Sequence, residues 1–247
     1  MTRAPVAAIL CDLDGTLLDT VPDIADAVNA VLRELDHAPV AQDVVAGYVG
    51  QGVDILLHRA LSGDRDGRID ADLHLRARAL FDTAYAAVNG RRTRLYAGVI
   101  EGLDAFRALG LRLACVTNKP QQASDTVLAR FGLDGYFAFV LGGEALPQRK
   151  PQPEPLWHAA ELLGVDVPSC VMLGDSANDA KAARAADMAA VLVDYGYTEG
   201  RQIGEIDCDA VISSFGELAA AIATRSDPRF EFLWRQRAAA AAASGAV

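Results

Sequence analysis

The chain has 247 residues, of which 51% are hydrophobic and 23% are charged, and its formal net charge is −10. This apolar content excludes a largely disordered chain, and the negative charge argues against nucleic acid as a partner. No apolar run is long enough to span a bilayer or to form the core of a signal peptide, so we expect a cytoplasmic protein.

Short apolar runs recur along the chain, with helical patterns between them. They lie at residues 6–11, 111–117, 137–141, 170–173, 189–193 and 210–212. Continuous apolar runs are typical of strands buried on both faces, and their alternation with helices predicts parallel βαβ units. We therefore predict an α/β fold with a Rossmann-like parallel sheet between layers of helices.

Residues 19–94 interrupt this alternation, because three apolar faces with helical spacing follow one another there without a convincing buried strand. A block of this length is too long for a crossover between strands. We predict an inserted, small, all-helical domain over residues 19–94, with hinges near residues 18–20 and 91–96. The core domain is then split between residues 1–18 and 95–224.

Residues 225–247 differ in composition from the rest of the chain, because they are basic, aromatic and rich in alanine. We expect a helix that docks on the core, followed by a frayed end. The alternative is a contact site for a partner or a membrane surface.

Lysine is scarce in this chain, since only Lys119, Lys150 and Lys181 occur among its 23 basic residues. Where arginine is used almost everywhere, a lysine can mark a place that needs a compact point charge.

Polar residues follow the predicted strands. The first strand leads into Asp12-Leu13-Asp14-Gly15-Thr16, the second into Thr117-Asn118, and the fourth into Gly174-Asp175-Ser176, with Asp179 one helical turn later. Lys150 lies in the loop after the third strand. Because ligands of parallel α/β sheets bind at the carboxyl ends of the strands, we expect these side chains to converge.

This combination of side chains indicates phosphoryl transfer. Clustered carboxylates raise one another's pKa unless a cation joins them, and a set of oxygen ligands favours Mg²⁺. A lysine and a threonine opposite the metal would hold the remaining phosphoryl oxygens. In an Asp-x-Asp pair, one carboxylate can attack phosphorus, while the other protonates the leaving alkoxide and then activates water.

The segments Asp12 to Leu17, Thr117-Asn118, Lys150-Pro151 and Gly174 to Asp179 resemble, in order, the four motifs of the haloacid dehalogenase superfamily. The resemblance covers about residues 5–224, and the helical insertion is similar to the family's small cap domain. It implies the following roles: Asp12 is the nucleophile and Asp14 the acid/base; Thr117, Asn118 and Lys150 bind phosphate; Asp12, the Asp14 carbonyl, Asp175 and Asp179 hold Mg²⁺, Asp179 as a ligand or a supporting carboxylate.

Longer stretches, from Asp14 to Ile24, Val49 to Asp54, Lys150 to Leu156 and Asp194 to Tyr197, resemble bacterial phosphoglycolate phosphatases. This implies that 2-phosphoglycolate is hydrolysed to glycolate and phosphate. In the cap, the turn Gly50-Gln51-Gly52 is a candidate to offer backbone amides to the substrate carboxylate, and Arg59 or Arg94 are further candidates.

Two alternatives remain open from the sequence. One is a hydrolase or phosphomutase of the same superfamily that acts on another small metabolite, such as a sugar phosphate. The other is a signalling receiver module with a lasting phosphoaspartate, although Asp14 and the helical insertion favour turnover. A serine hydrolase is excluded, because Ser176 lacks the second glycine of a nucleophile elbow and no histidine follows it. The oligomeric state, monomer or homodimer, is left open.

Overall fold

The computed structural model describes residues 5–234. In chain order, the strands are β1 (Ala8–Cys11), β2 (Leu18–Asp19), β3 (Arg94–Leu95), β4 (Arg112–Val116), β5 (Val140–Leu141), β6 (Cys170–Gly174), β7 (Ala189–Val193) and β8 (Ala210–Ile212). The α-helices are α1 (Val21–Glu34), α2 (Gln42–Ala46), α3 (Val53–Ser62), α4 (Ala71–Val88), α5 (Val99–Ala108), α6 (Gln121–Arg130), α7 (Glu154–Leu163), α8 (Ala177–Ala185) and α9 (Phe215–Thr224).

The main sheet is parallel and has the order β5-β4-β1-β6-β7-β8. Its strands are buried on both faces, because α5 and α9 pack on one side around Phe106 and Phe215, and α7 and α8 pack on the other. The predicted fold class is confirmed. The strand order reverses at β1, so the crevice for a ligand lies beyond the carboxyl ends of β4, β1 and β6.

Helices α1 to α4, which we call the helical insertion, lie between β2 and β3 in the chain and pack around a hydrophobic core of their own. Val28, Leu32, Leu57 and Phe81 are almost completely buried in it. Helix α2 was not predicted, because it has only five residues and buries only Val45. A helix this short gives no periodic pattern to detect.

A short antiparallel ribbon, β2 with β3, joins the helical insertion to the rest of the chain. The sequence predicted hinges at this place and no strands. Asp23, at the start of α1, is fully buried there and accepts hydrogen bonds from the backbone N–H groups of Gly90, Arg92 and Thr93 and from the Thr93 hydroxyl. Both ends of the insertion are therefore tied to one carboxylate.

After α9, where the sequence predicts a helix docked on the core, the described part of the tail forms a short 3-10 helix, Pro228–Leu233. Phe230 and Leu233 are buried against the same core cluster as α5 and α9, so this segment docks as the sequence indicated. The alanine run at residues 238–243 lies outside the described residues. Within residues 5–234, no helix has both the length and the apolar character needed to cross a membrane.

Candidate active site

Asp12 follows β1 directly and lies at the centre of the site. Its backbone N–H donates to the Leu173 carbonyl at 2.9 Å, which continues the pairing with β6. The side chain is buried, and Oδ1 lies 2.9 Å from Nζ of Lys150 but has no aligned hydrogen-bond donor among the described residues. Burial raises the pKa of Asp12 to about 6, against the lowering effect of Lys150. Asp12 therefore presents an oxygen that the protein does not fully satisfy.

Lys150 is the cation that faces Asp12. Its Nζ also donates hydrogen bonds to Oδ1 of Asp179 at 2.6 Å and to the Val116 carbonyl oxygen at 2.7 Å, whereas its contact with Asp12 is an ion pair without an aligned hydrogen bond. Burial alone would lower the pKa of Lys150, but the two neighbouring carboxylates raise it above its ordinary value. The side chain is therefore a fixed positive charge beneath the carboxyl end of β1.

Asp175 follows β6, and both of its carboxylate oxygens are held. Thr16 Oγ1 donates to Oδ1 at 3.0 Å, and the Tyr197 N–H donates to Oδ2 at 2.8 Å. Burial and two nearby carboxylates raise the pKa of Asp175 well above its ordinary value. Gly15 has a φ of +85°, and a Cβ there would come 2.2 Å from Oδ2 of Asp175. The turn after β1 can therefore approach Asp175 this closely only with glycine.

Asp179 lies in the first turn of α8 and is already engaged with the protein. Its Oδ2 accepts hydrogen bonds from Oγ of Ser176 at 2.7 Å and from the Ser176 N–H at 3.1 Å, which completes a capping box. Its Oδ1 accepts from Lys150. Both oxygens are thus used to cap α8 and to hold the lysine.

Asp12, Asp175 and Asp179 form a cluster in which one oxygen from each lies within 4.8 Å of the others. The donor set fits a hard divalent cation, because all three donors are buried carboxylates and Oδ1 of Asp12 lacks an aligned donor. Oδ1 of Asp179 already faces the positive charge of Lys150, whereas the oxygens of Asp175 accept hydrogen bonds only from neutral donors. The fit is therefore better for Asp12 and Asp175 as ligands, with Asp179 supporting them.

The carboxylate of Asp14 points to a different part of the site. Its Oδ1 accepts hydrogen bonds from Oγ1 of Thr20 at 2.6 Å and from Nζ of Lys119 at 3.0 Å. Lys119 Nζ also donates to the Tyr85 hydroxyl at 2.6 Å and lies 4.7 Å from the centroid of that ring. Lys119 was not among the predicted site residues, although the scarcity of lysine and its position next to Thr117-Asn118 were available signals.

Thr117 and Asn118, which follow β4, have different surroundings. The Thr117 backbone N–H donates to the Leu141 carbonyl, and its Oγ1 accepts from the Lys119 N–H. Nδ2 of Asn118 donates to the carbonyl oxygens of Gly50 at 2.8 Å and Lys150 at 2.7 Å. The Asn118 side-chain donors therefore join two loops, and its contact with phosphate stays a prediction.

A cleft opens above these groups and has two walls. The sheet wall consists of Asp12, Asp14, Thr117, Asn118, Lys119, Asp175 and Ser176. The helical wall consists of Ile24, Val49, Gly50, Gly52, Val53, Leu56, Phe81 and Tyr85. The sheet wall is polar and charged, whereas the helical wall is mostly apolar.

The structure brings only part of the predicted cap set to the cleft. Gly50 and Gly52 line it, whereas Gln51 does not. Arg59 is buried within the helical insertion, where its guanidinium donates to two backbone carbonyls, and it does not line the cleft either. A buried guanidinium needs acceptors, and these carbonyls supply them away from the site. Arg94, the other candidate, lies exposed on β3.

Glu199 is a buried carboxylate at the rim of the cleft that sequence reasoning missed. It accepts a hydrogen bond from Nδ2 of Asn178, and its backbone carbonyl accepts one from Arg65 of the helical insertion. A Cβ on Gly50 would come 2.8 Å from Oε1 of Glu199. A three-residue segment such as Thr198–Gly200 gives no periodic signal, so nothing in the local sequence indicated this contact of Glu199 with the helical wall.

Comparisons with known proteins agree with this geometry. The haloacid dehalogenase-like hydrolase family matches residues 6–187. A phosphoglycolate phosphatase from Nitrosospira multiformis is 46% identical over 86% of this chain and 94% of the relative, and one from Thiobacillus denitrificans is 42% identical over 87% and 95%. The crystal structure of a predicted phosphoglycolate phosphatase from Haemophilus somnus superposes with a TM-score of 0.81 at 32% identity, covering 86% of this chain and 96% of that one.

Proposed function

The chain belongs to the haloacid dehalogenase-like hydrolases, and from this premise we propose that it is a Mg²⁺-dependent phosphatase that converts 2-phosphoglycolate to glycolate and phosphate. The similarity to phosphoglycolate phosphatases over most of the chain supports this substrate. The family match also disfavours the receiver-module alternative. A cytoplasmic location, inferred from the sequence, is part of the proposal.

The observation that carries the proposal is the meeting of Asp12, Lys150 and Asp175 at one edge of the sheet. The ammonium of Lys150 lies 2.9 Å from Asp12 Oδ1, and carboxylate oxygens of Asp12 and Asp175 lie within 4.8 Å of one another. Transfer of a phosphoryl group requires an attacking oxygen and positive charge around the phosphoryl oxygens. Asp12 supplies the attacking oxygen, Lys150 supplies positive charge, and Asp175 with Asp12 would hold the cation that supplies the rest.

The first chemical step would use Asp12 as nucleophile. A carboxylate oxygen of Asp12 forms a bond to phosphorus while the bond between phosphorus and the glycolate oxygen breaks. Asp14, which lines the same cleft, gives its proton to the departing alkoxide. Lys150 offsets negative charge beside Asp12, with Asp179 holding it in place.

The second step releases phosphate and restores the enzyme. Asp14, now ionised, takes a proton from water, the water oxygen bonds to phosphorus, and the bond from phosphorus to Asp12 breaks. Mg²⁺, held by Asp12, the Asp14 carbonyl and Asp175, would supply positive charge to the phosphoryl oxygens. The helical wall would limit access of bulk water to the cleft.

Phosphate release from a substrate panel tests the proposal. With Mg²⁺ present, we expect kcat/KM to be higher for 2-phosphoglycolate than for glucose 6-phosphate, fructose 6-phosphate or glucose 1-phosphate. Complete chelation should abolish turnover, and added Mg²⁺ should restore it.

Three results of that panel would contradict parts of the proposal. A higher kcat/KM for a sugar phosphate would overturn the substrate, and interconversion of sugar phosphates without phosphate release would indicate a mutase. Undiminished turnover after full chelation would overturn the metal requirement. Lasting, stoichiometric labelling of the protein without phosphate release would overturn hydrolysis itself.

A further inference from the structure

Lys119 differs in charge from the other residues that line the cleft. Among the described residues that line the cleft, it is the only lysine or arginine, and it is buried. Its Nζ bridges the two walls, because it contacts Asp14 on the sheet side and the Tyr85 hydroxyl on α4. The corner between Lys119 and Tyr85 is therefore the place where the cleft offers positive charge outside the Asp12 and Lys150 pair.

Two hydrogen-bond donors remain unused at this corner. An ammonium group has three N–H donors. Nζ of Lys119 lies 3.0 and 3.3 Å from the two oxygens of Asp14, a contact that one shared N–H serves, and a second N–H donates to the Tyr85 hydroxyl at 2.6 Å. The Tyr85 hydroxyl accepts from Lys119, and within the described part of the chain its own proton has no acceptor. One N–H and one O–H are thus available to a ligand with two acceptor atoms.

The neighbouring helical wall offers a substrate little else to bond with. Ile24, Val53, Leu56 and Phe81 contribute apolar surface, and Phe81 stacks on Tyr85 with ring centroids 5.4 Å apart. Hydroxyl groups of a sugar would lie unpaired against this surface, which is unfavourable. A small carboxylate needs only the donors at the corner.

We propose that Lys119 and Tyr85 bind the carboxylate of the substrate, and so select small phosphorylated carboxylic acids over sugar phosphates and over esters without a second acidic group. This proposal rests on the proposed function and adds its specificity determinants. It assigns substrate recognition to the loop after β4 and to α4, in place of Gln51 and Arg59.

The test compares two substrates with the same two-carbon skeleton, 2-phosphoglycolate and ethyl phosphate, of which only the first has a carboxylate. The measured quantity is the ratio of their kcat/KM values. We expect Lys119→Met to reduce this ratio about 30-fold, the loss typical of a charged hydrogen bond. Lys181→Met, which removes the exposed lysine of α8, is the matched control and should leave the ratio unchanged.

The ratio separates recognition from an indirect effect through Asp14. If Lys119 acted only on Asp14, both kcat/KM values would fall by the same factor, the ratio would stay constant, and the proposal would be overturned. If the unmodified enzyme prefers 2-phosphoglycolate and the ratio survives Lys119→Met, only this inference fails. If the unmodified enzyme shows no preference for 2-phosphoglycolate, the proposed substrate fails as well.

Tyr85→Phe provides a second measurement that does not depend on how well Lys119→Met folds. It keeps the ring and its stacking on Phe81 and removes only the hydroxyl. We expect the ratio to fall about fivefold through a higher KM for 2-phosphoglycolate, as for loss of one neutral donor. Tyr136→Phe, which removes a hydroxyl bonded to Asp104 outside the cleft, is the control. An unchanged ratio in Tyr85→Phe would remove the tyrosine from the recognition site.

Discussion

The sheet wall and the helical wall of the cleft are built on different principles. In the sheet wall, Asp12 and Asp175 lie on neighbouring strand ends, and the buried side chains of Lys150 and Asp179 support them through direct contacts between charged groups. In the helical wall, Ile24, Val53 and other aliphatic side chains present apolar surface supported by a separate hydrophobic core. A network of charges has few tolerated alternatives, whereas apolar surface of similar volume is easily exchanged. The comparison indicates that chemistry depends on the sheet wall, whereas substrate choice depends on the contact of Lys119 with Tyr85 of the helical wall.

The largest effect should come from Asp12→Asn, which replaces the attacking oxygen with an amide of nearly the same shape. We expect kcat to fall at least about 10⁴-fold, the scale seen when a nucleophile is lost. The far-ultraviolet circular dichroism spectrum should be unchanged, because only charge is removed. Asp134→Asn, at an exposed position, is the control. If Asp12→Asn turned over substrate at the rate of the unmodified enzyme, Asp12 would not be the nucleophile and the charged cluster would not carry out the reaction.

A smaller effect should follow from Asp179→Asn, which changes a group that contacts Lys150 and Ser176. We expect the Mg²⁺ concentration for half-maximal activity to rise about 10- to 100-fold, as for loss of a supporting carboxylate. Asp187→Asn, just beyond the same helix and exposed, is the control. An unchanged Mg²⁺ dependence would show that Asp179 does not support the metal ligands and that its contacts with Lys150 and Ser176 can be weakened without effect on the site.

The smallest effect should come from Ile24→Val in the helical wall. Removing one methylene should change kcat/KM for 2-phosphoglycolate by no more than about fourfold, since a buried methylene contributes about 0.8 kcal/mol. Ile100→Val, in α5 and outside the cleft, controls for a general loss of stability. A rise in the Mg²⁺ concentration for half-maximal activity as large as in Asp179→Asn would contradict the assignment of chemistry to the sheet wall alone.

Apart from Lys119, the sequence predicted which residues meet at the sheet wall, because the information for it is local. Each strand is a continuous apolar run, and each polar residue of the wall follows such a run directly. Parallel pairing then places Asp12 beside Asp175 without any knowledge of side-chain packing. The contact between Lys150 and Asp179 adds the loop after β5 to the same edge.

The sequence predicted the helical wall poorly because its contacts depend on tertiary packing. Lys119 meets Tyr85 only because α4 lies over the loop after β4, and no pattern at either residue indicates that placement. Arg59 was a plausible ligand for an anion, but the fold supplied backbone carbonyls for it elsewhere. Glu199 lies in a short, irregular 3-10 segment, Thr198–Gly200, with a φ of +53°, a backbone conformation that its residue type does not suggest.

The ribbon of β2 and β3 gives the helical insertion adjacent entry and exit points. Leu18 pairs with Leu95 and Asp19 with Arg94, so the chain leaves the sheet domain and returns to it at the same position in space. Pairing within the six-stranded sheet does not depend on what lies between those points. A segment of different length or architecture could therefore be grafted onto the ribbon while the strand order stayed intact. Such a chimaera would combine the same catalytic residues with a different insertion, and it would be a way to obtain phosphatases for other phosphate esters.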